Sequence, residues 1–180
     1  FLEGMNQFFK NQDGCACTLE DFQKDFELVL DKNLEKFFKW FHEPGTPKLA
    51  VSEKFVGKNY KVTFRQEKPI NQRKYSNKVI PVTYKILNSK GQFLQPEKTL
   101  ILDEKTTSIE LKNLSKKPAI SLLNSFSAPV IVEFKQSIDD LFAILEFETD
   151  FTSVWMTKKK LDYLSLEKIA SDQPNVENVI

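Results

Sequence analysis

Few side chains in this 180-residue sequence could do chemistry: it has one histidine, His42, and two cysteines, Cys15 and Cys17. A thermolysin-like zinc site needs two histidines one helical turn apart, with a glutamate base between them. One histidine cannot supply that site. The cysteines are separated by a single residue, a spacing that would strain a disulfide, and a zinc site would need two further ligands. We therefore predict that both cysteines are reduced turn residues and that this chain holds no metal.

Other catalytic patterns do not fit the sequence either. A serine or cysteine triad would have to use His42, which lies beside a proline-rich turn with no nucleophile at motif spacing. The five glycines are scattered singly, so they form no phosphate-binding loop. Paired acidic residues such as Asp139 and Asp140 fall at predicted helix starts, where the helix dipole accounts for them. The sequence thus predicts no catalytic, metal-binding or substrate-binding residue.

Composition argues against two classes of partner. The net charge is +1, and the basic residues are lysines apart from Arg65 and Arg73. Because phosphate and base-edge recognition rely on arginine, we expect no nucleic-acid partner. The longest apolar runs, such as residues 141–145, are too short to cross a bilayer, and no signal peptide is visible. We expect a cytoplasmic protein without membrane contact.

Three amphipathic helices are predicted before residue 43. The first spans residues 1–12 and ends at Gly14, and its helical spacing from the first residue suggests a fragment of a longer polypeptide. The second follows a capping box at Thr18 and runs to Leu30, and Asn33 is expected to cap the third. One apolar stripe marks the third helix: Leu34, Phe37, Phe38 and Phe41. Short helices with so much aromatic surface need a partner that covers it.

The hydrophobic period changes after Pro44, Gly45 and Pro47, which together end the helical region. From there apolar residues alternate with polar ones, as in half-buried strands. The predicted strands include residues 60–64, 82–86, 100–102, 108–111, 120–123 and 130–134. Residues 69–78 are predicted to form a polar loop and residues 88–91 a turn. About seven short strands without intervening helices predict an antiparallel β-sandwich.

A helical period returns at Ser137, which is expected to cap a helix through residues 141–145. Asp150 is predicted to cap a last helix that ends near Leu164, with Lys158 and Lys160 on a solvated face. Residues 171–180 have no regular pattern. The predicted fold is therefore mixed, with a central sandwich flanked by helices at both ends.

Four motifs carry a resemblance to a known family. They are QDGCACTLEDF at residues 12–22, WFHEPGTPKLAV at 40–51, FSAPVIVEF at 126–134, and Asp150-Phe151 followed by Trp155. In this order they resemble the bacterial-type aminopeptidase N family of zinc gluzincins, over residues 1–155. The family usually has a small polar residue or glutamine where His42 and Glu43 stand, a departure at positions without assigned chemistry.

The resemblance implies three segments. Residues 1–45 would be the closing helices of a thermolysin-like catalytic domain, 46–136 an immunoglobulin-like β-sandwich, and 137–180 the first helices of a C-terminal helical domain. The family's zinc motif, its further glutamate ligand, its GAMEN loop and its catalytic tyrosine would all lie upstream. No site residue is carried over, and zinc is expected in the parent enzyme only.

The function implied is that of a connector. The parent would remove N-terminal amino acids from peptides with a zinc-bound water, and this portion would orient its catalytic and helical domains. Its partners would be the remaining domains of the same polypeptide. The alternative is a free-standing Ig-like binding module for carbohydrate or protein. Exposure of Phe37, Phe41 and Trp155 would favour the connector, whereas burial of all three would favour the module.

Overall fold

Three helices open the chain in a computed structural model, which describes residues 1–69, 76–88 and 90–172. They are α1 (Leu2–Gln12), α2 (Leu19–Leu30) and α3 (Glu35–His42). The predicted capping box is confirmed, since the Asp21 amide donates to Thr18 Oγ1 at 3.2 Å and the Asp21 carboxylate accepts from the Thr18 amide at 3.0 Å. Asn33 accepts from the Glu35 amide at 2.9 Å, although α3 itself begins two residues later than Asn33.

Aromatic rings hold these helices together. Phe22 of α2 contacts Phe8 of α1 and Phe38 of α3, with ring centroids 5.1 and 6.4 Å apart. Phe26 stacks beside Phe22 at 4.4 Å. Only part of the aromatic surface is used in this way, because Phe38 is buried whereas its neighbours Phe37 and Phe41 remain exposed.

Seven strands follow within the described residues, and they form two sheets. They are β1 (Lys48–Val56), β2 (Asn59–Glu67), β3 (Ile80–Leu87), β4 (Lys98–Leu102), β5 (Thr106–Leu111), β6 (Ala119–Leu122) and β7 (Ile131–Phe134). The larger sheet has the order β5-β2-β1-β7 and the smaller one β4-β3-β6. All pairs are antiparallel except β1 with β7, which run parallel in the register Val51 opposite Phe134.

The predicted alternation of strands β2 and β3 is confirmed by burial. Tyr60, Val62 and Phe64 point inward from β2, and Val82 and Ile86 do so from β3. These side chains form one apolar core between the two sheets. The predicted class, an antiparallel sandwich with helices on both sides, is therefore observed, with the parallel pair of β1 and β7 as the exception.

Strand β1 was not among the predicted segments. Its inward positions are Leu49, Val51, Glu53 and Phe55, so a carboxylate interrupts the apolar alternation. The structure tolerates Glu53 there because Tyr60 donates its hydroxyl to the carboxylate at 2.6 Å. A buried polar group with a hydrogen-bond partner costs far less than an unpaired one.

Two helices close the described chain: α4 (Ile138–Phe147) and α5 (Phe151–Asp172). A 3₁₀ turn at Asn124–Phe126 precedes β7. The predicted cap at Ser137 is confirmed by its bond from the Asp140 amide at 3.2 Å. The expected end near Leu164 was wrong, since α5 continues to Asp172. Parts of three predicted segments lie outside the described residues, at 70–75, 89 and 173–180.

The described helices include no segment both long and apolar enough to span a bilayer.

Gly91 lies directly against the ring of Phe147 in α4. It has φ of +75°, and a β-carbon placed on it would overlap the ring of Phe147. Gly57 has a similar φ of +62° in the β1–β2 turn, with open space around it. Comparing substitutions at Gly91 and Gly57 therefore separates the cost of backbone strain from the cost of steric overlap.

We expect Gly91→Ala to lower the free energy of unfolding by about 3 kcal/mol, because it adds overlap with Phe147 to left-handed strain. Gly57→Ala should cost only about 1 kcal/mol, since strain acts alone. Urea unfolding of both variants measures the difference, and equal losses would contradict the close packing of Gly91 on α4.

Candidate functional site: two junctions between helices and sandwich

The side chains that could bind a metal or act as nucleophiles lie in different parts of the structure. His42 is exposed at the last position of α3, while Cys15 and Cys17 are free and exposed between α1 and α2. Within residues 1–69, 76–88 and 90–172, no three His, Cys, Asp or Glu side chains come close enough to hold a metal ion. The prediction that this chain has no site residues stays a prediction.

A cleft of about 430 Å³ opens between β6, β7 and α5. Its walls are mainly apolar, with Leu122, Val132 and Met156 among them. Lys160 lines it and donates to the Phe134 carbonyl oxygen and, at 3.1 Å, to Gln136 Oε1. None of the described residues lining this cleft is a histidine, cysteine or carboxylate, so the cleft offers no acid–base pair.

Lys160 was expected on a solvated face, and that expectation was wrong. Burial lowers the pKa of its ammonium group, an effect that the more distant Glu53 carboxylate opposes. Its neighbour Lys158 is exposed, as predicted.

The N-terminal junction, formed by Trp40, Glu43, Gln66 and Lys78, joins α3 to the sandwich. Trp40 packs against the sandwich core and donates its indole N–H to the carbonyl oxygen of Val79 at 2.8 Å. An indole is well suited to this position because one side chain supplies both apolar contact and a directional hydrogen bond.

Lys78 caps the end of α3 from the sandwich side. Its side chain is buried, and Nζ donates to the carbonyl oxygens of Lys39 at 3.1 Å and Glu43 at 2.8 Å. The Lys39 carbonyl also accepts from the Glu43 amide at 3.0 Å. Carbonyls at the end of a helix carry partial negative charge, so a cation stabilises them. Burial lowers the pKa of Lys78, while the nearby Glu43 carboxylate opposes that shift. The Nζ also lies 5.2 Å from the centroid of the Trp40 ring.

Gln66 holds the backbone of Lys78 in place. Its Oε1 accepts from the Lys78 amide at 3.0 Å, and its Nε2 donates to the Lys78 carbonyl at 2.7 Å. The same Nε2 lies 3.2 Å from the carbonyl oxygens of Leu102 and Glu104. One buried amide therefore joins β2, a residue two positions before β3 and the end of β4.

The C-terminal junction, formed by Lys85, Asn124, Glu148, Asp150 and Ser153, joins the sandwich to α4 and α5. The Glu148 side chain is fully buried, and its Oε1 lies 2.7 Å from Lys85 Nζ of β3. The amides of Thr149 and Asp150 donate to the same oxygen at 2.7 and 2.9 Å. Asn124 Nδ2 donates to the other oxygen at 3.1 Å.

These donors decide the protonation of Glu148. Burial alone would raise the pKa of the carboxyl group, but the bonds from Lys85, the two amides and Ser121 together hold it below its usual range. The group is therefore an anion in the folded protein at neutral pH.

Asp150 begins α5 and ties it to the 3₁₀ turn. Its Oδ2 accepts from the amide and the hydroxyl of Ser153, both at 2.8 Å, which confirms the predicted cap. Its Oδ1 accepts from the Ser125 amide at 2.9 Å. Asn124 Nδ2 also donates to Ser153 Oγ at 3.1 Å. The start of α5 is thereby fixed to the sandwich by directional bonds.

A third contact links α4 to the sandwich. Lys117 pairs with Glu53 of β1 at 2.7 Å and with Asp140 in the first turn of α4. Burial raises the pKa of the Tyr60 hydroxyl, and its bond to Glu53 raises it further, so it acts as a donor here.

Sequence reasoning identified Asp150 as a helix cap but missed the other junction residues. Lys78 fell within a predicted polar loop, and Lys85 alternates with apolar residues on β3, a pattern that indicates a solvent-facing side chain. One available signal was the tryptophan of the WF motif beside the helix end, since a buried indole N–H requires an acceptor.

Apolar surface remains uncovered on the helices that flank the sandwich on both sides. Phe37 and Phe41 on α3 expose 45% and 60% of their surface, and Trp155 on α5 exposes 52%. Their exposure favours a connector over a free-standing module.

The family model of DUF3458, a domain of unknown function with an Ig-like fold, matches residues 45–135, which include strands β1 to β7 of the described part of the chain. The chain belongs to this family. The match begins after α3 and ends before α4, so the helical segments lie outside it.

Similar proteins are bacterial aminopeptidases. Aminopeptidase N of Haemophilus influenzae is 30% identical over 158 residues, which make up 82% of this chain and 18% of the relative. Aminopeptidase N of Escherichia coli is 26% identical over 172 residues, which make up 89% of this chain and 20% of the relative. The predicted resemblance to bacterial aminopeptidase N is confirmed over most of the chain.

A solved structure is similar as well. Legionella pneumophila aminopeptidase A, in complex with aspartic acid, matches with a TM-score of 0.84 and 31% identity, over 96% of this chain and 20% of that one. The chain thus spans about a fifth of the length of the proteins it matches.

We expect Lys78→Met to lower the free energy of unfolding by about 2 kcal/mol, because the α3 carbonyls lose a charged donor. Lys36→Met is a matched control, since Lys36 is half exposed and its 3.3 Å pair with Glu104 is a surface pair worth under about 1 kcal/mol. Urea unfolding gives the stabilities, and hydrogen exchange reports on the last turn of α3. Unchanged exchange there in Lys78→Met would contradict the capping role.

Glu148→Gln should lower the free energy of unfolding at pH 7 by about 3 kcal/mol, because Lys85 loses its nearer and fully buried anion and keeps only the half-exposed Glu97 at 3.6 Å. The folded pKa of Glu148 is depressed, so its stabilisation is present above the ordinary value of 4.5 and is lost as the pH falls below that value. The variant should therefore lose less stability than the wild type on acidification below about pH 4.5. Urea unfolding across this range is the measurement, with exposed Glu146→Gln as control. Parallel pH profiles of Glu148→Gln and the wild type would refute this role.

Proposed function

We propose that this chain is the non-catalytic, structural portion of a zinc aminopeptidase that removes N-terminal amino acids from peptides. It connects the catalytic domain to a C-terminal helical domain and sets the distance and angle between them. The similarity to aminopeptidase N over most of the chain supports the parent's class, and the short share of each relative's length supports a partial role.

The proposed division has residues 1–45 as the end of the catalytic domain, 46–136 as the Ig-like linker and 137–180 as the start of the helical domain. The family match at 45–135 supports the two proposed boundaries of the Ig-like linker. We further propose that the parent enzyme is cytoplasmic, and that its other domains are the partners of this chain.

The observation that carries the proposal is that strand β3 and the two residues before it anchor both junctions. Lys78, which caps α3, lies two residues before β3, and Lys85, which pairs with Glu148, lies within β3. Seven residues of extended chain separate the two anchors by about 23 Å. Strand β3 lies between β4 and β6 and is buried along most of its length, so it acts as a rigid spacer. A flexible linker could not hold a fixed distance or angle.

The metal-ligand side chains among the described residues support the absence of a zinc site from this portion. His42 and the two cysteines are exposed, and the part of the chain that the structure describes brings no three suitable ligands together. We propose that the metal and the peptide substrate are held by residues of the parent outside this chain. The exposed Phe37, Phe41 and Trp155 support this connector role over a free-standing binding module.

We expect the purified 180-residue chain to leave an alanyl chromogenic substrate intact and to bind no stoichiometric zinc, whereas the full-length parent does both. Substrate turnover and metal analysis of both proteins provide the measurement. Chelator-sensitive turnover by the 180-residue chain would overturn the proposal.

The orienting role is tested by a second experiment, on the full-length enzyme. Glu148→Gln should leave the zinc content unchanged and lower kcat/KM. It should also widen the distribution of interdomain distances measured by small-angle scattering. Glu146→Gln, on the exposed side of α4, should match the wild type in all three. Wild-type scattering and turnover in a Glu148→Gln enzyme with a disrupted junction would refute the orienting role.

A further inference from the structure

The cleft between β6, β7 and α5 has the dimensions and lining of a small-molecule site. Its volume of about 430 Å³ lies within the range of roughly 300 to 1,000 Å³ that such sites occupy. Strands β6 and β7 are edge strands of different sheets, so the cleft lies where neither sheet continues. Helix α5 lines it with Ser153, Met156, Thr157 and Lys160, which recur at the spacing of one helix face. The walls thus combine apolar surface with a few polar groups, as ligand sites do.

Lys160 places a cation in this cleft without a nearby counter-charge. Its Nζ donates to two neutral oxygens, the Phe134 carbonyl and Gln136 Oε1, and lies 5.5 Å from the centroid of the Phe134 ring. It forms no ion pair with any carboxylate of the described residues. Glu53 acts on it only from a distance, and that carboxylate is already paired with Lys117 at 2.7 Å. Because a partly buried ammonium group gains more from an anion than an exposed one does, the cleft favours a ligand with one negative charge.

Thr157 supplies a second polar group to the cleft. Its side chain lines the cleft and is only 8% exposed, and its hydroxyl has no hydrogen-bond partner among the described residues. Thr157 and Lys160 are three residues apart on α5, so their β-carbons are about 5 to 6 Å apart. This spacing allows one oxygen of a carboxylate to accept from the ammonium group and the other to accept from the hydroxyl. The same ligand would therefore satisfy both groups.

We propose that this cleft binds a small aliphatic carboxylate, with the anion at Lys160 and Thr157 and the hydrocarbon chain against the apolar walls. Those walls are mainly aliphatic and include Leu122, Val132 and Ile144, so they remove a hydrocarbon chain from water without offering it a polar partner. A free amino acid fits poorly, because its own ammonium group would lie beside that of Lys160. The site does not depend on the proposed connecting function, and it adds ligand binding to a chain whose sequence predicts none.

Calorimetric titration of the full-length enzyme with octanoate tests the proposal, with octanol as the uncharged analogue. Octanoate should bind at least roughly tenfold more tightly than octanol, because only the carboxylate makes charge-assisted hydrogen bonds. Equal affinities would overturn the proposal, since apolar contact alone would then account for binding. Failure of the full-length enzyme to bind octanoate would overturn it as well, because the cleft would then be filled by another segment of the parent.

Variants of the full-length enzyme locate the bound anion. Lys160→Met keeps the length of the side chain and removes its charge, so octanoate should bind roughly tenfold to a hundredfold more weakly. Thr157→Val keeps the shape of its side chain and should weaken binding roughly fivefold, which provides a second test if Lys160→Met lowers the melting temperature. Lys158→Met is the matched control, because Lys158 is exposed and pairs with Asp162 at 2.9 Å, and it should bind octanoate as the wild type does.

The same variants distinguish this cleft from the catalytic centre of the parent. Octanoate bound at the catalytic metal would inhibit turnover and would bind equally well to all three variants. Wild-type affinity in both Lys160→Met and Thr157→Val would therefore refute the site, as would an equal loss of affinity in Lys158→Met. Either result would leave the proposed connecting function standing, since that function is tested by scattering and turnover of a different variant.

Discussion

The structure depends on the need to satisfy two buried charges, the ammonium of Lys78 and the carboxylate of Glu148. A buried charge without partners is costly, so each group must find donors or acceptors in a fixed geometry. Lys78 finds them at the end of α3, and Glu148 finds them in Lys85, Asn124 and the start of α5. Desolvation consumes much of the energy gained in such networks, so their main effect is to select one arrangement.

Stability and orientation therefore come from different parts of the molecule. The sandwich core, which includes Leu49, Phe64 and Ile86, removes large apolar side chains from water and contributes most of the stability. Apolar burial is not directional, however, and alone would allow a helix to slide or rotate. The contact of α4 with the sandwich has only a small buried apolar cluster, with Leu87 and Ile144 at its centre. Hydrogen bonds of defined length and angle fix the orientation of α4, which that cluster alone would not fix.

Local signals predicted the elements well, and long-range contacts explain the failures. The caps at Thr18, Ser137 and Asp150 depend on neighbours within three residues, so the sequence reveals them. Strand β1 was missed because Glu53 occupies an inward position, and its partner Tyr60 is satisfied only once two strands pair. Lys160 was expected in solvent because its acceptors come from a distant strand. No residue near Lys78 in sequence reveals that a helix end will lie against it.

The distribution of polar and apolar surface distinguishes a connector from an independent domain. In an independent domain, apolar helix faces pack inward and polar faces meet water. Here α5 attaches through Ser153 and Asp150 and exposes Trp155, while α3 attaches through its carbonyl end and exposes Phe41. Exposed apolar faces of this kind indicate surfaces that another part of a protein covers. Because these faces lie on helices beyond both ends of the sandwich, they support the proposed role of the chain as a spacer, with β3 as its rigid axis.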